Sequence, residues 1–322
     1  MGRPPSTESA SDEHWDTAAG TPRVTPEGRH LSRALTIAVC ALACLPCAAA
    51  TAGPEVAQRP PNAASGSPSW TPRRTIDGQP DLGGLWNSNA GWASVSVEAV
   101  RDPARTGGMG RGDTTLVVDP ADGRIPYQPW ARAKKEAILD NFLHPTADAL
   151  DPQARDWPSG VPRNNYRNGL IQILQTRGSV VFLYENQHEF RVVTLDGRPP
   201  LDGSIKLWMG SSRGHWDGHT LVVDVANNTG IPWLSIAGDF HSDALRVTER
   251  WTIVGPDTIE HRATLTDPNV YTRPWTIAFT LNRDTVPGNQ ILETSGVEGE
   301  RWVEHLPGAG AGSVTSGPPD RK

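Results

Sequence analysis

The chain has 322 residues, 37% of them hydrophobic and 20% charged, with a formal net charge of −6, a balance expected of a globular protein with an ordinary core. Acidic and basic residues are interspersed along it. The concentrated Lys/Arg footprint that a phosphate backbone requires is missing, which excludes nucleic acid as an expected partner.

Residues 34–50 form the one long apolar run, preceded by Arg29 and Arg33 and ending in small residues, the layout of a secretory signal peptide. The run is too short and alanine-rich for a membrane span. The expectation is a signal peptide over 1–52 with a long n-region, and hence a periplasmic or extracellular protein. A lipoprotein alternative places a lipidated N-terminus at Cys44. All three cysteines, Cys40, Cys44 and Cys47, lie in this segment. Cleavage after it would leave no thiol for disulfides, nucleophiles or metal ligation. Residues 53–75 and 307–322 are rich in Gly, Pro, Ala and Ser and read as a flexible linker and a disordered tail. The folded domain is expected over 76–306.

Within it, Trp130, Ala133, Ala137, Ile138 and Phe142 recur at helical spacing, predicting a helix over 130–143 that His144-Pro145 ends. The flanking stretches 98–128 and 145–168 are loaded with Asp, Pro, Gly and Arg. They read as long covering loops around one short strand at 114–118. From residue 170 the pattern alternates, with strands predicted at 170–176, 179–185, 190–195, 204–208, 220–225, 244–254, 258–265, 275–282 and 291–295. Arg177-Gly178 and Gly255-Pro256-Asp257 supply hairpin turns. Turn signals every ten or so residues with no interleaved helix predict a mainly β fold, a single antiparallel barrel or sandwich.

The strand faces carry the chemistry. Glu249 interrupts the apolar row Leu245, Val247, Trp251 and Ile253, so if that row faces inward the carboxylate needs a cationic or hydrogen-bonding partner. His261 sits likewise among Ile259, Ala263 and Leu265. Trp275 begins another apolar row, while Asp224 could face either side of its strand. Glu185 and Arg191 end and begin successive strands and are candidates for an ion pair. His215, Asp217 and His219 alternate as chelating residues would on one strand, but the Asp217-Gly218 turn would scatter them, and no metal site is predicted. His241 precedes a strand with Asp239 and Glu249 near in sequence, where it could act as an oriented general base.

Seven stretches resemble a large family of exported bacterial proteins without an established biochemical role: DLGGLW from Asp81, GVPR from Gly160, VVFLYE from Val180, FRVVTLDGR from Phe190, GHWDGHTLVVDV from Gly214, HSDALRVTERW from His241 and DPNVYTRPW from Asp267. The resemblance implies a lipocalin-like or calycin-like β-barrel with covering loops. Three positions depart from that family's pattern. Asp156 and Gly296 stand where the family commonly has cysteines, as expected if a disulfide has been lost, and His219 replaces a more typical acidic residue.

Two functions suit these residues. One is an exported barrel binding a small, partly apolar or aromatic molecule in a cavity lined by Arg163, Glu185, Arg191, Trp208, Trp216, Asp224, Trp251 and Trp275, since indoles offer both area and a hydrogen-bond handle. The alternative is a lyase, isomerase or hydrolase without a cofactor, in which His241 is the acid or base and Glu249 or Asp267 its carboxylate partner.

Overall fold

The computed structural model describes residues 70–294, His188 excepted. The expected signal peptide, most of the expected linker, the expected tail and Gly296 lie outside the described residues. The ten strands are β1 (Gly84–Ser88), β2 (Val117–Asp119), β3 (Leu170–Thr176), β4 (Ser179–Tyr184), β5 (Phe190–Thr194), β6 (Ser211–Asp217), β7 (Thr220–Ala226), β8 (Arg246–Gly255), β9 (Thr258–Thr266) and β10 (Trp275–Arg283). They pair in the order β1-β3-β4-β5-β6-β7-β8-β9-β10, and β1 also pairs with β10, which closes a nine-stranded barrel. β2 adds to the free stretch of the same β10 edge through Thr276 and Ile277. The architecture is mainly β and agrees with the lipocalin-like barrel expected.

Alternation explains the closure. Val247, Glu249, Trp251 and Ile253 of β8, Ile259, His261, Ala263 and Leu265 of β9, and Trp275, Ile277, Phe279 and Leu281 of β10 are all buried. They form the inner faces of three adjoining antiparallel strands. Every antiparallel neighbour is joined by at least three register pairs except the β10–β2 edge. The β5–β6 contact is the exception in direction, being parallel, with only Val193↔Ser212 and Thr194↔Arg213 in register.

Two strands went unread because their sequences are polar and glycine-rich. β6 carries Gly214 where a Cβ would lie 2.7 Å from Val193 Cγ1, so only glycine lets β5 and β6 approach. β1 holds Trp86 inward with its indole N–H donating to Leu82 O at 2.9 Å. Conversely, the strand expected at 204–208 is a turn region with one bridge, Leu207 to Asn228, and at 291–294 there is one bridge, Thr294 to Asn186.

Among the described residues α1 (Pro129–Asp140) is the one α-helix. Pro129 occupies its first turn, where a missing N–H costs nothing. Its buried face is Ala131, Lys135, Ile138 and Leu139, not the expected Ala133 and Ala137, which are exposed. The face is rotated because Lys135 Nζ donates to Ala237 O at 2.6 Å and pairs with Asp239 at 3.1 Å. Gly238 allows this approach: a Cβ there would meet Ile138 at 2.5 Å. Asp239 also accepts from Ser235 Oγ at 2.6 Å and Val97 N at 3.0 Å, tying α1 and two loops into one cover. Among the described residues no helix is long and apolar enough to cross a membrane.

Candidate functional site

The register of β8 and β9 sets Glu249 against Ala263 and Trp251 against His261. Arg191 on β5 reaches across the interior to an ion pair with Glu249, and its Nε donates to Ser212 Oγ on β6 at 2.8 Å. Asn165, from the turn Arg163–Asn165, donates to Glu249 Oε1 at 2.6 Å and accepts from Tyr184 OH at 2.8 Å. His261 Nε2 lies 3.3 Å from the same carboxylate oxygen, and its ring packs between Trp251 and Phe279 at centroid distances of 4.3 and 4.6 Å. Burial alone would raise the Glu249 carboxyl, yet Arg191 and His261 outweigh it and hold the group at about 2. Burial lowers His261 below the ordinary imidazole value despite the nearby carboxylate. The imidazole is therefore neutral and donates a hydrogen bond to Glu249.

Arg191, Glu249 and Trp251 thus come together inside the barrel as read, but not around a hollow. Glu249, His261 and Trp251 have no exposed surface, because Asn165 and Tyr166 fill the space, Tyr166 edge-on to Phe279 at 5.8 Å. The plug is fastened in turn: Arg163 makes two bonds to Asp151, at 2.9 and 2.6 Å, and Tyr166 OH donates to Leu234 O at 2.5 Å. No sequence signal marks Asn165, which sits in an irregular loop. Tyr184 lies on the inward phase of β4, with Val180 and Phe182.

The remaining candidates disperse. Glu185 does not pair with Arg191; its carboxylate accepts from Leu170 N at 2.9 Å and Leu292 N at 3.1 Å. Asp224 is exposed and accepts from Thr248 Oγ1 at 2.7 Å, because the opposite phase of β7, Leu221, Val223 and Val225, takes the interior. Trp208 is half-buried against Trp157, Trp216 is half-buried at one end of the core, and Trp275 is buried edge-on to Tyr271. His215, Asp217 and His219 are exposed, with Asp217 bridged to Arg250 at 2.9 Å. No group of three or more His, Cys, Asp or Glu side chains among the described residues could hold a metal ion.

His241 is buried and brought near Asp267 rather than Glu249. Its Nδ1 donates to Ser242 O at 2.8 Å, while Asp267 accepts from Ser242 N at 2.6 Å and Ser242 Oγ at 2.9 Å. Asp239, read as a possible partner, is engaged with Lys135. Burial lowers the His241 pKa more than Ser242 O and Asp267 raise it.

These directions fix the acid response. A group whose folded pKa lies below its unfolded value stabilises the fold above the unfolded pKa, and that contribution is lost as pH falls through the folded one. Urea unfolding is expected to show stability declining below about pH 6.5, where His241 and His261 would protonate in the unfolded chain. A steeper loss follows below about 4.5, as Glu249 is driven toward its folded value near 2. A decline that begins only above neutrality would contradict these assignments.

Among the described residues, open space lies elsewhere, including two pockets. A pocket of about 300 Å³ at one barrel mouth is lined by Trp70, Arg73, Asp81, Ile253, Asp257 and Arg283. There the Arg283 guanidinium sits 4.3 Å over the Trp86 ring and donates to Gly83 O at 2.8 Å. A cleft of about 500 Å³ runs between α1 and the loops around residues 96–105 and 113–124, walled largely by charged side chains. No protein-family model, curated protein or solved structure matches the chain.

Proposed function

We propose that this protein is an exported β-barrel, a member of the family its motifs resemble, that binds a small, partly aromatic molecule in the pocket at the barrel mouth. The observation that carries the reading is the lining of that pocket. Trp70 is 41% exposed, with Pro256 and the rim of buried Ile253 beside it, and the cations Arg73 and Arg283 stand against the carboxylates Asp81 and Asp257 at 3.6 and 3.2 Å. Small-molecule sites combine apolar walls with a few convergent polar groups in this way and favour the mouths of barrels. Arg283 is stacked on the buried Trp86 and paired with Asp257 at 3.2 Å, which orients its guanidinium in the pocket that the exposed Trp70 lines, a surface suited to a flat ring bearing an anionic group.

The expected ligand is a planar aromatic carboxylate. Benzoate and indole carboxylates, titrated against intrinsic tryptophan fluorescence, are expected to give a saturable change that Trp70→Ala reduces and that Arg283→Met weakens about tenfold, the loss of one charge-assisted contact. Binding that is unaltered by both replacements, or no saturable change with any aromatic acid, would overturn the assignment.

A further inference from the structure

The cleft beside α1 has a different character from the mouth pocket, and we propose that it is a second site, for a small zwitterion of the α-amino-acid type. Its lining includes five cations, Arg101, Arg105, Arg124, Arg132 and Lys135, and five carboxylates, Glu98, Asp102, Asp113, Asp122 and Glu136. The formal charges of the lining side chains sum to zero.

Most of these charges already satisfy one another. Arg132 makes a two-pronged contact with Glu98 at 2.7 and 2.8 Å, Arg105 bridges Glu136 at 2.9 Å and Asp140 at 2.6 Å, Arg101 meets Asp113 at 3.0 Å, and Lys135 is buried on Asp239. What is left is of both signs. Arg124 is exposed and has no ion pair among the described residues. Asp102 uses one oxygen to accept the backbone amide of Ala104 at 3.0 Å and keeps the other open, whereas Asp122, which accepts from Arg124 N at 3.0 Å, also feels the charge of Arg273.

A guanidinium with its full fork of donors is the preferred partner of a carboxylate, and an open aspartate oxygen is that of an ammonium. One molecule bearing both groups satisfies both without adding net charge. The volume, about 500 Å³, lies within the range of small-molecule sites. Apolar lining is confined to Ala99, Val100 and Leu139, so the ligand side chain is expected to be small or polar.

The test compares charge patterns at constant size. The free amino acids, their N-acetyl derivatives and their carboxamides are measured by isothermal titration against the intact protein. Free amino acids with small or polar side chains are expected to bind, and either cap is expected to weaken binding at least tenfold, because each removes one charge-assisted contact. Arg124→Gln is expected to abolish the preference for the free carboxylate and leave the melting temperature unchanged, since Arg124 is exposed and makes no ion pair among the described residues. Equal binding of free and capped forms, retention of the preference in Arg124→Gln, or no binding by any free amino acid would overturn the proposal. The mouth pocket shares no lining residue with this cleft, so its aromatic ligand is tested independently.

Discussion

Arg191→Met is expected to destabilise the barrel by about 3–5 kcal/mol at neutral pH, the cost of stranding one member of a buried ion pair. The size follows from the surroundings of Glu249. Its carboxylate has no exposed surface, and without Arg191 it retains only Asn165 and a neutral His261. Neither supplies a positive charge. Burial would then dominate and drive the Glu249 pKa above the ordinary carboxylate value instead of below it. The sign of the acid response reverses as a result: Glu249 in the variant takes up its proton more readily when folded, so the deficit relative to the unaltered protein is expected to shrink as pH falls from 7 to 4. Urea denaturation at the two pH values measures both quantities. A deficit below about 1 kcal/mol, or one independent of pH, would show that Arg191 is not what neutralises Glu249.

Asp239→Ala should have a comparable effect, again about 3–5 kcal/mol, but in a different part of the molecule. It leaves the Lys135 ammonium, 1% exposed, with Ala237 O as its hydrogen-bond acceptor, and it leaves Val97 N and Ser235 Oγ without theirs. Because these groups belong to α1 and the loops over it, the damage is expected to be local. Hydrogen exchange should rise in α1 and around residues 235–240 while β7 to β10 remain protected. Uniform loss of protection across barrel and cover would mean that the two unfold as one and that Asp239 is not a fastening confined to the cover.

The barrel was legible in the sequence wherever one strand face is apolar. The row Leu245, Val247, Trp251 and Ile253 fixed the inward direction of Glu249, and Ile259 with Ala263 and Leu265 did the same for His261. Alternation reports a face without naming the partner that meets it. Nearness in sequence pairs Arg191 with Glu185 on the preceding strand, whereas closure of the barrel brings Arg191 across the interior from β5 to Glu249 on β8. Asn165 and Asp151 lie in irregular loops where no periodicity operates, so the plug could not be anticipated. The charge on the buried face of α1 was hidden for a related reason: Lys135 reads as a solvent residue until Asp239, more than a hundred positions later, is folded against it. The residues around the mouth pocket and the cleft carry no sequence signal because they are ordinary surface charges brought together by the loops.

The brevity of the β5–β6 contact has a consequence for how the domain is assembled. From β6 through β10, and on through β1, β3 and β4 to β5, the antiparallel ladder is continuous, so the wall is a single curled ribbon whose first and last strands merely touch. Those two strands are consecutive in the chain, joined by residues 195–210, and positions 196–207 of that link are exposed. The N-terminal half, through β5, and the C-terminal half, from β6, are otherwise joined by the β1–β10 and β2–β10 pairings, by the cover, and inside the barrel by the contacts of Arg191 and Asn165 with Glu249. The wall thus has one weak seam, and the exposed link across it is where a chain break or a grafted insert would disturb the wall least.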